Sequence, residues 1–467
     1  MMARVVLLRD AMNEPEISDP SMQSAVDTTR PAARWARRSS GLVAALAAFG
    51  LAACGGDGLG SSDEAFSERQ PSTNWDRDVL STELDVDLET LEATALVEVD
   101  KAYRVGASLE VGDLDIAEVV GPEGPVNHTV EDGRLDLGIP ARQPVQVEIR
   151  YRLHTRSKLE GLTQGGATFL WPYFCGNLFP CKSDPSDGLR FNLTLRGVPE
   201  GQRAIFPAVI PADAPSYMVA WSVGDYQELD LGTTPAGTHL RAFYLPGEQQ
   251  TTERGTAHLA AAFDWLESTY GAYLFGSEAG SVSARWGPGA FGGMEHHPFW
   301  HVSADSMGDE ETHIHEAAHG WFGNGVRIAC WEDLTLSEGT TSYVTARAYG
   351  AVMGQSAEQA LWEDYDERLD WVVRYDDRIA WPDTCGEIDV LTELWNEVVY
   401  MKGAFFFRAV EHEVGREAVD AALADFYARF GGEAASMADM LDTIERVTRF
   451  DASDLASGWL QSMGRPD

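Results

Sequence analysis

The feature that most limits how this chain can fold is a change of hydrophobic period near residue 247. From Val79 to about Pro246, apolar and polar residues alternate in short runs, as in Leu84-Asp85-Val86-Asp87-Leu88, Leu135-Asp136-Leu137 and Val145-Gln146-Val147-Glu148-Ile149. Gly, Pro and Asp turns separate these runs, and period-two alternation at such spacing predicts an antiparallel β domain. Beyond Gly247 the spacing becomes helical. Thr256 to Tyr270 carries Leu259, Phe263 and Leu266 on one face and ends at Gly271, and further faces run through Leu361, Tyr365, Leu369 and Val372 and from Val399 to His412. The expected fold is α+β and multidomain, with a β domain over 75–247 and a mostly α domain over 248–467. At 467 residues and 44% apolar content, the chain is long enough for two or three domains with their own cores.

The N-terminal stretch follows neither period. Arg34, Arg37 and Arg38 precede an apolar run from Gly41 to Ala53 that is too short to span a bilayer and ends in Leu51-Ala52-Ala53-Cys54. This predicts a lipoprotein signal peptide over 1–53, with Cys54 as the lipidated first residue of the mature chain; Met22 is an alternative start. Residues 54–74 are rich in Gly, Ser and acidic side chains and read as a flexible linker. The expected location is exported, lipid-anchored to a bacterial membrane and facing the periplasm or exterior. In that oxidising compartment Cys175, Cys181, Cys330 and Cys385 can form two disulfides. Of three possible pairings, Cys175 with Cys181 and Cys330 with Cys385 keeps each bridge within one domain. The formal charge of −39 disfavours binding to nucleic acid and to anionic headgroups.

Chemistry concentrates in His315-Glu316-Ala317-Ala318-His319, with Glu338 nineteen residues further on in Leu336-Ser337-Glu338-Gly339. The stretch from Asp309 to Phe322 is free of Pro, and of Gly before Gly320, so a helix is expected there. Residues four apart share a helix face, so His315 and His319 can aim two imidazoles at one point. Two neutral imidazoles and one carboxylate suit a single Zn2+ ion with an open coordination position, which makes His315, His319 and Glu338 the candidate metal ligands. Glu316 lies beside that point and is the candidate general base. Thr335 or Ser337 would cap a helix carrying Glu338. Gly292-Gly293-Met294-Glu295-His296 is a second constellation, where two glycines permit close backbone approach to a substrate and Glu295 can hold a cation such as a peptide's free amino group. Tyr400, in Tyr400-Met401-Lys402-Gly403, can donate to the oxyanion formed when water attacks a carbonyl.

Together these segments resemble the aminopeptidase N-like zinc metallopeptidases, peptidase family M1, of the gluzincin type. His315 to Asn324 with Trp331 to Gly339 is similar to the family's zinc signature, Gly292 to His296 to its exopeptidase motif, and Tyr400 to Gly403 to its catalytic-tyrosine motif. Phe179-Pro180-Cys181, Asp184-Pro185 and Phe191 to Leu195 resemble its N-terminal saddle domain. The resemblance covers roughly 77 to 467 and implies a saddle domain followed by a thermolysin-like catalytic domain. It further implies an aminopeptidase acting on peptides, with Glu316 and Tyr400 catalytic, Glu295, Gly292, Gly293 and Met294 binding substrate, and no C-terminal helical domain, leaving a more open cleft. His296 and Ser337 stand where the family usually has asparagine, and Gln164 is a candidate for a second amine-binding group. The alternatives are an endopeptidase or broad-specificity peptidase of the same fold, and an inactive surface binding protein.

Overall fold

The computed structural model describes residues 65–170, 173–287, 292–382, 384–386 and 388–466. The expected signal peptide, Cys54 and the linker before residue 65 lie outside them. Residues 65–74 are not a free tether: Phe66 is buried against Gly121, where an added Cβ would come within 2.7 Å of its ring. Asn74 is buried too, its backbone N–H donating to Ser108 Oγ at 2.8 Å. One aromatic ring amid small and acidic residues is enough to dock the segment, because it buries apolar area that composition averages away.

The alternating segments form a seven-stranded sheet. Its order is Val209–Ala214, Leu189–Arg196, Val79–Asp87, Glu92–Val99, Val145–Arg152, Asp115–Gly121 and Gly124–Pro125. Neighbours are antiparallel except Val79–Asp87 beside Leu189–Arg196. Register aligns Leu84 with Ala95 and Ala95 with Ile149, so one apolar row crosses three strands into the core. A three-stranded sheet of Ala107–Glu110, Arg134–Leu137 and His128–Glu131 packs beside it. Both expected disulfides form, Cys175–Cys181 with Cα atoms 6.1 Å apart and Cys330–Cys385 at 5.7 Å.

A second, five-stranded sheet runs Gln227–Thr233, His239–Tyr244, Glu278–Ala284, Phe299–Ser303 and Gly293–Met294. Its first two strands precede residue 247, so this sheet crosses the boundary expected there. Alternation marks a strand, not the sheet it joins. Helices fill the rest: Leu259–Tyr270, the motif helix Glu310–Ala318, the ligand helix Leu334–Met353, Gln355–Tyr375, the tyrosine helix Glu397–Val414, Arg416–Phe430 and Met437–Thr448. Among the described residues no helix is long and apolar enough to cross a membrane. The architecture is a β-rich N-terminal region followed by a mostly helical one, mixed α+β.

Three side-chain contacts join the two regions. Arg327 donates to the carbonyls of Asp213 at 3.0 Å and Gly432 at 2.8 Å, over a Gly188 whose Cβ would lie 2.2 Å from the guanidinium carbon. Trp331 Nε1 donates to Ser183 O at 3.1 Å, and Tyr217 donates to Asn324 Oδ1 at 2.8 Å. The last of these brings the β region to the rim of the site.

Candidate metal centre and active site

The motif helix ends where the site begins. His315 lies in its last turn and His319 at its C-cap, φ −58° and ψ −20°, so the second imidazole stays on the helical face of the first. The ligand helix starts at Leu334 after a 3-10 turn over Trp331–Asp333. Thr335 and Ser337 therefore lie inside it and not at its cap. Thr335 Oγ1 instead donates to Val399 O of the tyrosine helix at 3.1 Å. That bond belongs to a close crossing. A Cβ on Gly339 would sit 2.6 Å from the Gly403 Cα, and one on Gly403 2.5 Å from the Gly339 Cα. Two glycines let the backbones touch, and the neighbours Glu338 and Tyr400 thereby face one cavity.

His315 Nε2, His319 Nε2 and Glu338 Oε2 form a triangle with sides of 3.2, 3.2 and 3.3 Å. Its corners lie about 1.9 Å from its centre, close to the ~2.0–2.1 Å bond lengths of zinc, so these three side chains would hold such an ion. The residues fit the ion. His319 Nδ1 donates to Phe322 O at 3.0 Å, which fixes the tautomer and leaves Nε2 free to ligate. Thr341 donates to the same carbonyl at 3.1 Å and holds it in place.

Three further groups surround the triangle. Glu316 is buried, and a Cβ on Gly293 would come within 2.4 Å of its Oε1. The glycine that needs space in this motif is therefore Gly293, whose missing side chain leaves room for the carboxylate of Glu316. At Gly292 an added Cβ would meet nothing closer than 3.4 Å, and the Met294 side chain is buried in the core. Glu295 follows that edge strand and turns inward. It is buried, with a carboxylate oxygen within 4.8 Å of ligand atoms of Glu316 and His319. Tyr400 stacks its ring on His315, centroids 5.9 Å apart and planes at 27°, and its hydroxyl accepts from Trp395 Nε1 at 3.3 Å.

The electrostatics follow from three buried carboxylates gathered against two imidazoles. Burial raises Glu316 well above the ordinary carboxylate range, and raises Glu295 to about 7 against the pull of His319. Burial alone would lower His319, but Glu338 and Glu295 outweigh it and lift it to about 10. Burial likewise opposes ionisation of Glu338, and His319 overcomes it, leaving Glu338 at about 2. A field that favours positive charge this strongly on an imidazole also favours a divalent cation. Burial keeps the Tyr400 phenol protonated, its pKa well above the usual value.

The other local histidines have other partners. His297 accepts from the Tyr273 hydroxyl at 2.8 Å and donates to Glu316 O at 2.7 Å, bracing the helix end under the base. Burial lowers its pKa to about 3, and it stays neutral. His313 bonds Met307 O at 3.1 Å, on a different face from His315. His296 and His301 pack ring to ring at 5.0 Å beneath the Glu295 loop. Gln164 has an exposed side chain on the β-region loop. Sequence reasoning passed over Asn324, which donates to Glu295 O at 2.6 Å, and Tyr217, which holds Asn324. Asn324 lies inside a motif already singled out. Tyr217 had no local signal, because it arrives from another region of the chain.

Residues 301–459 match the Peptidase family M1 domain. The chain is 22% identical to glutamyl aminopeptidase of Rattus norvegicus over 324 residues, 62% of this chain and 33% of that protein. It is 24% identical to aminopeptidase N of Streptomyces lividans over 273 residues, 53% of this chain and 31% of that protein. The chain thus spans about a third of the length of these curated relatives. Among solved structures, an M1 zinc metallopeptidase variant from Deinococcus radiodurans bound to a Tyr-ser-ala substrate superposes with a TM-score of 0.72 at 18% identity, covering 84% of this chain and 96% of that one. That likeness shows the fold.

Proposed function

We propose that this chain, whose residues 301–459 match the Peptidase family M1 domain, is a zinc aminopeptidase that removes N-terminal residues from peptides. The observation that carries the reading is the triangle of His315, His319 and Glu338 with Glu316 and Glu295 buried at its edge. One zinc ion held by these three side chains would polarise the scissile carbonyl and make water more acidic. The chain's own groups supply the remaining steps. Glu316, a stronger base for being buried, takes a proton from the attacking water as its oxygen bonds the carbonyl carbon, and delivers it to the amine nitrogen as the C–N bond breaks. The Tyr400 hydroxyl donates to the developing oxyanion. Glu295 binds the substrate's ammonium and so sets the distance from chain end to scissile bond. Asn324 and Tyr217 fix the backbone that presents Glu295.

The test is to measure bound zinc on the purified protein and compare a free peptide with its N-acetylated twin. Cleavage of the free peptide alone supports the aminopeptidase. Equal cleavage of both removes Glu295 from its role and leaves an endopeptidase, while no cleavage with zinc bound leaves a binding protein. We also propose export with a lipid anchor at Cys54, supported by the Arg-rich start, the Gly41–Ala53 apolar run and the small residues before the cysteine. Metabolic labelling with a fatty acid, lost in Cys54→Ser, tests it.

A further inference from the structure

Arg368 lies on the helix Gln355–Tyr375, outside every motif considered so far, and reaches both walls of the site. Its Nη1 donates to Glu311 Oε1 at 2.7 Å and its Nε to Glu397 Oε1 at 2.5 Å, with Nη2 also paired to Glu397. All three side chains are mostly buried, 23%, 14% and 19% exposed. The positions of the two acids give the contact its meaning. Glu311 is one helical turn before His315, and Glu397 is three residues before Tyr400, so each acid shares a helix face with a residue of the site. The stacked rings of His315 and Tyr400 and the two bridged carboxylates are thus two side-chain links between the motif helix and the tyrosine helix. Packing on the Tyr365 ring, 5.1 Å from the guanidinium carbon, holds the cation between them.

We propose that Arg368 is a positioning residue that sets the spacing between His315 and Tyr400, and through it the reach of the Tyr400 hydroxyl to the reacting carbonyl. This rests on the peptidase reading above. Without the guanidinium, the bridge between Glu311 and Glu397 is lost, and with it the tie that sets how far the first turn of the tyrosine helix stands from the motif helix. The metal triangle is held by other means, namely the Phe322 carbonyl and Thr341, so the ligands keep their places while Tyr400 loses its own. A planar fork can serve both acids at once, whereas the point charge of lysine serves one.

The experiment compares Arg368→Met and Arg368→Lys in the wild-type and Tyr400→Phe backgrounds. Arg368→Met should lower kcat about tenfold with KM within about twofold and zinc content unchanged, and Arg368→Lys about threefold. In Tyr400→Phe the same change should cost less than about twofold, because the group it positions is gone. Equal losses in both backgrounds, or a loss confined to KM, overturn the proposal. Unpaired acids could weaken folding, so a triple variant with Glu311→Gln and Glu397→Gln is included. It should recover the melting temperature but not kcat, and full recovery of kcat would reduce Arg368 to a counter-charge. Amide exchange decides the geometry independently of turnover. Residues 397–401 should exchange faster in Arg368→Met while 334–345 do not change, and unaltered exchange at 397–401 overturns the positioning role. A wild type that binds zinc but hydrolyses nothing would sink the peptidase reading alone, since the exchange arm still tests Arg368.

Discussion

The Gly339–Gly403 crossing gives the sharpest quantitative test of how this site is built. In Gly403→Ala the new methyl would sit 2.5 Å from the Gly339 Cα and 2.7 Å from Thr335 Oγ1. Carbon atoms in good contact are about 3.5–4.0 Å apart, so the helices must separate by about 1 Å. The obstacle is backbone, which cannot rotate away as a side chain would. Overpacking of this kind costs about 1–3 kcal/mol, and replacing a mid-helix glycine by alanine returns about 1 kcal/mol of helix propensity. The net loss of stability is therefore small, at most about 2 kcal/mol. Tyr400, one turn before Gly403, moves with the helix, and a misplacement of about 1 Å of a transition-state donor costs on the order of a hundredfold in rate, or about 2.7 kcal/mol. The variant should stay folded and keep its zinc while kcat on an amino-acid p-nitroanilide falls about a hundredfold, KM changing little. A Gly403→Ala protein with kcat within twofold of wild type and an unshifted melting curve would refute the claim that this contact places the tyrosine.

Other perturbations isolate other parts. Glu316→Gln should retain one zinc per chain and lose at least ~10²–10⁴-fold in kcat, since the amide keeps the shape of the base and not its proton affinity; activity near wild type would remove it from that role. His319→Ala should drop zinc to a small fraction of an equivalent, measured by metal analysis after dialysis, and an undiminished zinc content would show that the ion is held elsewhere. Gly293→Ala forces a methyl against the Glu316 carboxylate, whereas Gly292→Ala does not, so only the first should depress kcat. His301 is buried and its pKa is lowered to about 4 by desolvation. Its folded pKa lies below the unfolded ~6.5, so its neutral-state stabilisation is present above pH ~6.5 and lost as the pH falls towards 4. The gap in unfolding free energy between wild type and His301→Asn, measured by urea titration, should therefore narrow by about 1 kcal/mol per pH unit below 6.5, and a gap independent of pH would contradict the burial argument.

Much of this arrangement was legible because its chemistry is local. The spacing of His315, Glu316 and His319 dictates a shared helix face, so any helix there brings two imidazoles together whatever surrounds it. Leu361, Tyr365, Leu369 and Val372 form a buried stripe because their helix has one wet side. The ligand helix behaves differently. Leu334 to Ala348 is buried on every face, so no amphipathic period marks its start, and Thr335 and Ser337 looked like caps although they lie within it.

Sequence by itself determined the fold class, the candidate ligands and the neighbouring base, because each depends on residue type and on repeat distances along one element. Tertiary structure alone decided that Gly339 meets Gly403, that Gly293 makes room for Glu316, that Tyr217 holds Asn324, and that Arg368 joins Glu311 to Glu397. The physical reason is range. Periodicity reports which side of an element is apolar, whereas these contacts join groups tens to more than a hundred residues apart whose approach is set by how whole helices pack.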